Sequence, residues 1–303
     1  MKKTGCILFL ILMITFFLMA PHAAIEASKR GLSLWFTQLL PALLPFCILS
    51  YVVLSSGLFA SDKSRSGKET KISGFEWYIM LCGFLFGFPI GSKLTGDGFR
   101  EGKLSEKNAV FLSCFTNNLS PVFVTAALKE QLGIPISPCT YLVIYGIPFA
   151  ACLLCLFLWG ESAPIQKKAA SRFQLNMQII DAGIMSGFET LIRICGYVMM
   201  FSIITEMMQL FPLGNELSKL LLTGFLEVTN GVELLAESSL FLQYKYLLAI
   251  VFLSWNGLSG LFQTASILRQ ANLPVKKYIC LKLLLTVITG ITAALLLLFR
   301  LFL

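Results

Sequence analysis

An all-α, polytopic membrane protein is the fold class this sequence predicts, and three observations carry the expectation. Of 303 residues, 56% are hydrophobic and only 13% are charged, with a mean hydropathy of +0.79, whereas soluble domains carry about 25% charged residues. The apolar residues fall into runs near the length a bilayer demands, roughly 20 residues at about 1.5 Å rise each. The basic excess, 24 Lys and Arg against 16 Asp and Glu, lies between those runs rather than along one stripe. That distribution suits membrane topology and not a nucleic-acid groove.

Seven runs are long enough for crossings: Thr4 to Ile25, Gly31 to Ser61, Asn108 to Leu128, Gln131 to Gly160, Ile184 to Phe211, Tyr246 to Leu268 and Tyr278 to Leu303. Ile184 to Phe211 carries Glu189, Arg193 and Glu206, and the last run has Lys282 and Arg300 near its ends. Glu189 and Arg193, four apart, are expected to pair along one helix face. Two further segments, Trp77 to Ser92 and Leu220 to Leu235, are short and interrupted by Gly, Pro or polar residues, so they read as re-entrant hairpins.

The loop charges agree with seven crossings and two returns. With Lys2 and Lys3 in the cytoplasm, inside loops hold Lys63, Arg65, Lys68, Lys71, Arg100, Lys103, Lys107, Lys167, Lys168, Arg172, Arg269, Lys276 and Lys277. Outside loops hold only Lys29, Arg30, Lys129 and Lys245. Cytoplasmic loops collect Lys and Arg, so the N-terminus is expected inside and the C-terminus outside a cell membrane. The first run, 1–30, reads as an uncleaved signal-anchor helix, because no clean small-x-small triplet follows its apolar core. Ser61 to Glu76 is a polar linker. Cys152 and Cys155, spaced C-x-x-C within an apolar helix, read as small buried residues rather than a redox pair.

An internal duplication runs through the rest. Asn117 to Ala126 aligns without a gap on Asn256 to Ala265, and Gly83-Phe84-Leu85 on Gly224-Phe225-Leu226, at offsets close to 140 residues, while Gly31 to Ile48 more loosely resembles Gly187 to Ile203. Repeat 1 is assigned to 31–172 and repeat 2 to 173–303, in one integrated membrane domain. Three crossings per repeat invert the second copy, a plan shared by many secondary transporters with midplane sites.

Polar residues in hydrocarbon are costly unless they are paired or wetted, which makes four clusters candidates for function. Gly83, Gly87, Phe88, Pro89, Gly91 and Lys93 form either a packing seam with a kink or a hairpin tip beside a cavity. Thr116, Asn117, Asn118, Ser120 and Pro121 interrupt a crossing, as an unwound cavity-lining stretch or as interhelical glue. Glu227, Thr229, Asn230 and Gly231 place a carboxylate in the second short segment, as a ligand or ion contact or as a partner of Arg193 or Lys282. Trp255, Asn256, Gly257, Ser259, Gly260 and Gln263 repeat the second cluster and offer donors and acceptors to a neutral polar ligand, or to neighbouring helices. The expected solute contacts are therefore Asn117, Asn118, Ser120, Glu227, Thr229, Asn230, Asn256, Ser259 and Gln263. The expected gating positions are Gly87, Pro89, Gly91, Lys93, Pro121, Gly257 and Gly260.

Enzyme chemistry finds little to work with. His22 is the only histidine, which removes His-based metal sites and triads. The phosphate-cradling G-x-x-x-x-G-K-[ST], H-E-x-x-H and G-x-S-x-G patterns are missing. No metal and no cofactor is expected.

Read together, Gly31-Leu32-x-Leu34-Trp35, Leu40-Pro41-x-Leu43-x-Pro45-Phe46, Gly87-Phe88-Pro89-x-Gly91-x-Lys93, Thr116-Asn117-Asn118-x-x-Pro121 and Glu227-x-Thr229-Asn230-Gly231 resemble the YlbJ-type sporulation integral membrane proteins, from Gly31 onward. That family belongs to a nucleoside-recognition, or gate-domain, group named for its similarity to concentrative nucleoside transporters and the membrane gate of ferrous-iron transporters. The resemblance implies an inverted-repeat helical fold and a role in endospore formation. It does not establish a substrate: a nucleoside-like solute and a coupling ion are the candidates, and Lys93, standing where an acidic hairpin ligand would be wanted, speaks against nucleoside-plus-sodium symport. The expected function is movement of a small polar solute; the alternative is a non-transporting scaffold for the spore envelope.

Overall fold

The computed structural model describes residues 3–58, 72–161, 175–210 and 214–299. Among these every regular element is helical. In chain order they are α1 (Lys3–Met19), α2 (Pro21–Ser55), α3 (Gly74–Phe86), α4 (Ile90–Arg100), α5 (Glu106–Phe115), α6 (121–131), α7 (Pro138–Trp159), α8 (Met177–Leu210), α9 (Glu216–Leu226), α10 (Val228–Glu237), α11 (Leu242–Trp255), α12 (Gly257–Gln270) and α13 (Val275–Leu298). The linker 61–71 and the stretch 162–174 lie outside the described residues, as do the cationic side chains within them.

Local sequence sets many of the boundaries. Ser73 and Glu76 form a reciprocal capping box at the start of α3, while Ser105, Ser120, Ser137 and Asn215 cap α5, α6, α7 and α9. Each side-chain oxygen satisfies one of the amides that a helix start leaves free. Proline occupies the first turn at Pro21, Pro121 and Pro138, where its missing N–H costs nothing.

Two long helices make a frame. α2 and α8 run antiparallel: a side chain at Gly31 would meet Met199, one at Gly187 would meet Leu44 and Ile48, and one at Gly183 would meet Val52. The Trp35 indole donates to Leu191 O at 2.8 Å across this seam, and Arg30 pairs with Glu206 at its end.

Two helical hairpins pack beside the frame. In α3–α4, Phe75 lies against Gly98 while Gly83 and Gly91 both face Thr116, so the arms are antiparallel about Gly87. In α9–α10, Gly224 and Gly231 touch near the tip, and both approach Phe252 of α11. These hairpins fall where the two short segments are expected. Their arms are longer than 77–92 and 220–235, because polar residues such as the buried Ser92, Lys93, Thr95 and Asp97 extend α4.

By length and composition five helices could cross a membrane: Pro21–Ser55, Pro138–Trp159, Met177–Gln209, Leu242–Gln270 and Val275–Leu298. Two of the seven expected runs differ. Lys3–Met19 is a shorter apolar helix, since Pro21 starts a new helix before Ile25 and position 30/31 lies within α2. Asn108 to Leu128 is split into α5 and α6 by the non-helical residues 116–120. The outer surface is apolar, with Leu284, Val287, Ile291, Leu295 and Leu298 exposed along α13 at helical spacing. A face of that size needs lipid or another partner.

Two ion pairs tie separate segments together at one end. Lys107 lies 2.5 Å from Glu161 and Lys277 3.2 Å from Glu106, joining three segments that the charge pattern assigns to one side. At the opposite end, Lys245 donates to Ala236 O and Thr140 meets the Tyr246 hydroxyl.

Candidate functional site

Where α5 stops at Phe115, the chain unwinds for five residues before Ser120 caps α6. An unwound stretch inside an apolar protein must place each freed carbonyl on a donor, and four carbonyls here find one. Phe115 O accepts from the Asn118 amide at 2.7 Å. Asn117 O accepts from Asn256 Nδ2 at 3.0 Å and from Lys282 Nζ at 3.3 Å. Asn118 O accepts from Phe88 N, at the tip of the first hairpin. Leu119 O accepts from the Tyr145 hydroxyl at 2.8 Å.

The second break lies between α11 and α12, where Asn256 and Gly257 both take positive φ, 67° and 69°. Each hairpin tip seats on the break of the helix that follows it. A Cβ on Gly87 would stand 2.5 Å from Ser120 N, and one on Gly257 would stand 3.0 Å from Leu226 O and 3.1 Å from Glu227 Cα. Phe88 reaches across to Gly260 of the second break. The two breaks then meet directly, through the Asn256 bond to Asn117 O.

Around that meeting point the polar side chains are deeply buried: Asn117 0%, Asn118 4%, Asn256 3%, Ser259 3%, Gln263 5% and Lys282 0% exposed. Asn117 Nδ2 donates to Thr264 Oγ1 at 2.8 Å and to the Tyr278 hydroxyl at 3.3 Å. Asn118 Oδ1 accepts from Lys282 at 3.0 Å. Gln263 Nε2 donates to Ser259 Oγ at 3.0 Å. Three amide oxygens stay unpaired, those of Asn117, Asn256 and Gln263. An unpaired buried acceptor costs about 1–3 kcal/mol, so three in one region make this the least satisfied polar part of the described interior.

A polar cavity of ≈ 90 Å³ reaches Gln263 from between α4, α8 and α12. Lys93 in its wall bonds Asp97 and Ser186, each at 3.1 Å, and Arg100 also pairs with Asp97. On the facing wall Arg193 and Glu189 pair at 2.6 Å, as their spacing predicts. Lys93 and Arg100 share the single Asp97, so three cations face two carboxylates, beside the hydroxyls and amides of Ser186, Thr190, Ser266 and Gln270.

The expected site residues divide accordingly. Asn117, Asn118, Asn256, Ser259 and Gln263 lie in or beside the central cluster. Ser120 is the cap of α6, accepting from Phe123 N at 3.3 Å, and Pro121 fills that helix's first turn. Glu227 is extended at the second hairpin tip, where its carboxylate caps α10 by accepting from Asn230 N at 2.8 Å. The carboxylate is thus held at the start of its own helix, while Arg193 pairs with Glu189 and Lys282 with the first break. Thr229 and Asn230 are half-buried in the first turn of α10. Gly87 and Gly91 pack closely on Ser120 and Thr116 at the first hairpin tip, and Pro89 precedes α4.

Sequence reading left Lys282 out of the expected site, weighing it only as a partner of Glu227, whereas it bonds the first break. It lies seven residues into α13 rather than beside a loop, about 10 Å along the axis. An ionisable residue that deep in an apolar helix is itself the signal that could have found it. Thr264, Tyr278 and Tyr145 gave no comparable signal.

Comparison with known proteins follows the same line. No family model matches the chain, and no solved structure matches it. The chain is 26% identical over 312 aligned positions to the sporulation integral membrane protein YlbJ of Bacillus subtilis (strain 168), an alignment that covers 87% of this chain and 75% of that relative.

Proposed function

We propose that this chain is a multi-pass cell-membrane protein that moves a small polar solute, in a cell that forms endospores. The observation that carries the reading is the meeting of two broken helices around three unpaired, buried amide oxygens, beside a polar cavity. Acceptors without partners suit a solute rich in N–H and O–H groups, neutral or zwitterionic. The cavity is only ≈ 90 Å³, so a nucleoside-sized solute requires the cleft to widen. The reading assigns no enzymatic activity and no cofactor.

The proposed topology has seven crossings, two re-entrant hairpins and two inverted repeats, with the N-terminus in the cytoplasm and the C-terminus outside. Supporting it are the matched placement of hairpin tip on helix break in both halves, the antiparallel α2–α8 pair, and the ion pairs that gather loop charges at one end. The membrane and sporulation context is supported by the likeness to the Bacillus protein, whose name gives it both properties.

A second reading, a scaffold that transports nothing, draws on Asn118, whose two polar side-chain atoms are both satisfied within the chain. Liposomes holding purified protein, screened with nucleosides, sugars and amino acids, separate the two. The transport reading expects flux or binding that falls in Gln263→Ala and Asn256→Ala. Absence of both, with sporulation lost only in loop variants, overturns it.

A further inference from the structure

Lys282 is 0% exposed, the most deeply buried of the described Lys, Arg, Asp and Glu side chains. Its ammonium contacts two neutral oxygens, Asn118 Oδ1 at 3.0 Å and Asn117 O at 3.3 Å. Among the described residues no carboxylate lies within ion-pair reach of it, and every described ion pair belongs to other residues. Two of the unpaired amide oxygens sit on Asn117 and Asn256, the residues that converge on that same Asn117 carbonyl.

Satisfying an unwound helix does not call for a charge. Phe115 O, Asn118 O and Leu119 O are all served by neutral donors, an amide, a backbone N–H and a phenol. A buried cation without a counter-charge is far costlier than a neutral donor, so Lys282 exceeds what the break needs. What it contacts, one main-chain and one amide oxygen with no carboxylate, is the kind of neutral oxygen set that holds monovalent cations at carbonyl filters and unwound helices.

We propose that Lys282 is a tethered cation: its ammonium occupies, through attachment to α13, the place that a diffusible monovalent cation would take at the junction of the two helix breaks. A second cation is excluded there by repulsion at short range in a medium of low dielectric. The consequence for coupling rests on the transport reading above: solute movement proceeds without a sodium gradient. The cation site itself is testable without transport.

The experiment is thermal unfolding of the purified protein in sodium, methylammonium or choline chloride at equal ionic strength. Wild type is expected to melt at one temperature in all three, and Lys282→Arg likewise. Lys282→Ala is expected to melt lower in choline and to regain at least half of the lost midpoint in sodium or methylammonium. If Lys282→Ala does not fold, Lys282→Gln supplies the test, and its midpoint should rise in either small cation. Equal midpoints of the folded neutral variant in all three salts would show a purely structural lysine and overturn the inference, as would a sodium-dependent midpoint in wild type. A normal thermal result with no solute flux in liposomes would count against transport alone.

Discussion

Asn118 and Gln263 are both amides buried near the middle of the molecule, yet the chain satisfies them to different degrees. Asn118→Ala strips a donor from Phe115 O and an acceptor from a buried ammonium, so it should cost roughly 2–4 kcal/mol. Thermal unfolding of the solute-free protein checks this. Gln263→Ala removes an oxygen that has no partner in the chain, together with one bond from its nitrogen to Ser259. It should lower the midpoint less than Asn118→Ala and weaken solute binding about 5- to 150-fold, equivalent to roughly 1–3 kcal/mol for one lost hydrogen bond, as read by calorimetric titration. The reverse pattern would make Gln263 glue. The amides were legible in the sequence because Asn and Gln inside apolar runs have few inexpensive explanations. Which amide is satisfied was not, since that depends on Lys282, Thr264 and Tyr278, more than 140 residues away from Asn117. Glu227 shows the same limit: its cost was visible, but the backbone amide of Asn230 that receives it depends on how the hairpin turns.

Hairpins and breaks act as pairs of elements, and their glycines test that coupling. Gly87, Gly257 and Gly133 all have positive φ, 72°, 69° and 65°. Alanine at Gly133 would meet nothing within 4 Å, so it carries only the left-handed backbone cost, about 1–2 kcal/mol. Alanine at Gly87 or Gly257 adds a clash with the backbone of the partner element. Both should lower the melting temperature well beyond Gly133→Ala and reduce solute binding, whereas equal effects at all three positions would show that the tips are not seated as described. Pro121, Pro89 and the glycine spacing made the interruptions visible in advance. The arm lengths were hidden, because the Lys93–Asp97 pair and the Ser73–Glu76 box look like loop chemistry until they are buried or capped.

For the whole molecule, the decisive property is which ends share a side. Single cysteines replacing Lys107 and Lys276, in a Cys-less background, should react with an impermeant maleimide from one side. Cysteines replacing Gln131 and Ser239 should react from the other. Labelling of Lys107 and Gln131 positions from the same side would mean that α5 and α6 together do not cross. Loop charge anticipated the grouping of Lys107 with Lys277, which the structure ties through Glu161 and Glu106. Continuous helix length did not follow as simply, because the break at 116–120 and a short N-terminal helix defeat a count based on apolar runs alone.

The α2–α8 frame carries one more consequence, which concerns lipid thickness. At about 1.5 Å per residue, the 35 residues of Pro21–Ser55 extend roughly 52 Å, against a hydrocarbon core of about 30 Å. On the proposed topology, Glu26, Lys29, Arg30 and the Arg30–Glu206 pair would mark where this helix leaves the apolar layer, with its first turns among headgroups. The remaining 25 residues, about 37 Å, would still exceed the core and would be accommodated by tilt. Because the partner helix is locked alongside, both must lean together. A thinner bilayer therefore acts on the frame as a lever, and vesicles of graded acyl-chain length would read out that lean as a change in labelling depth at Lys29 and Glu206.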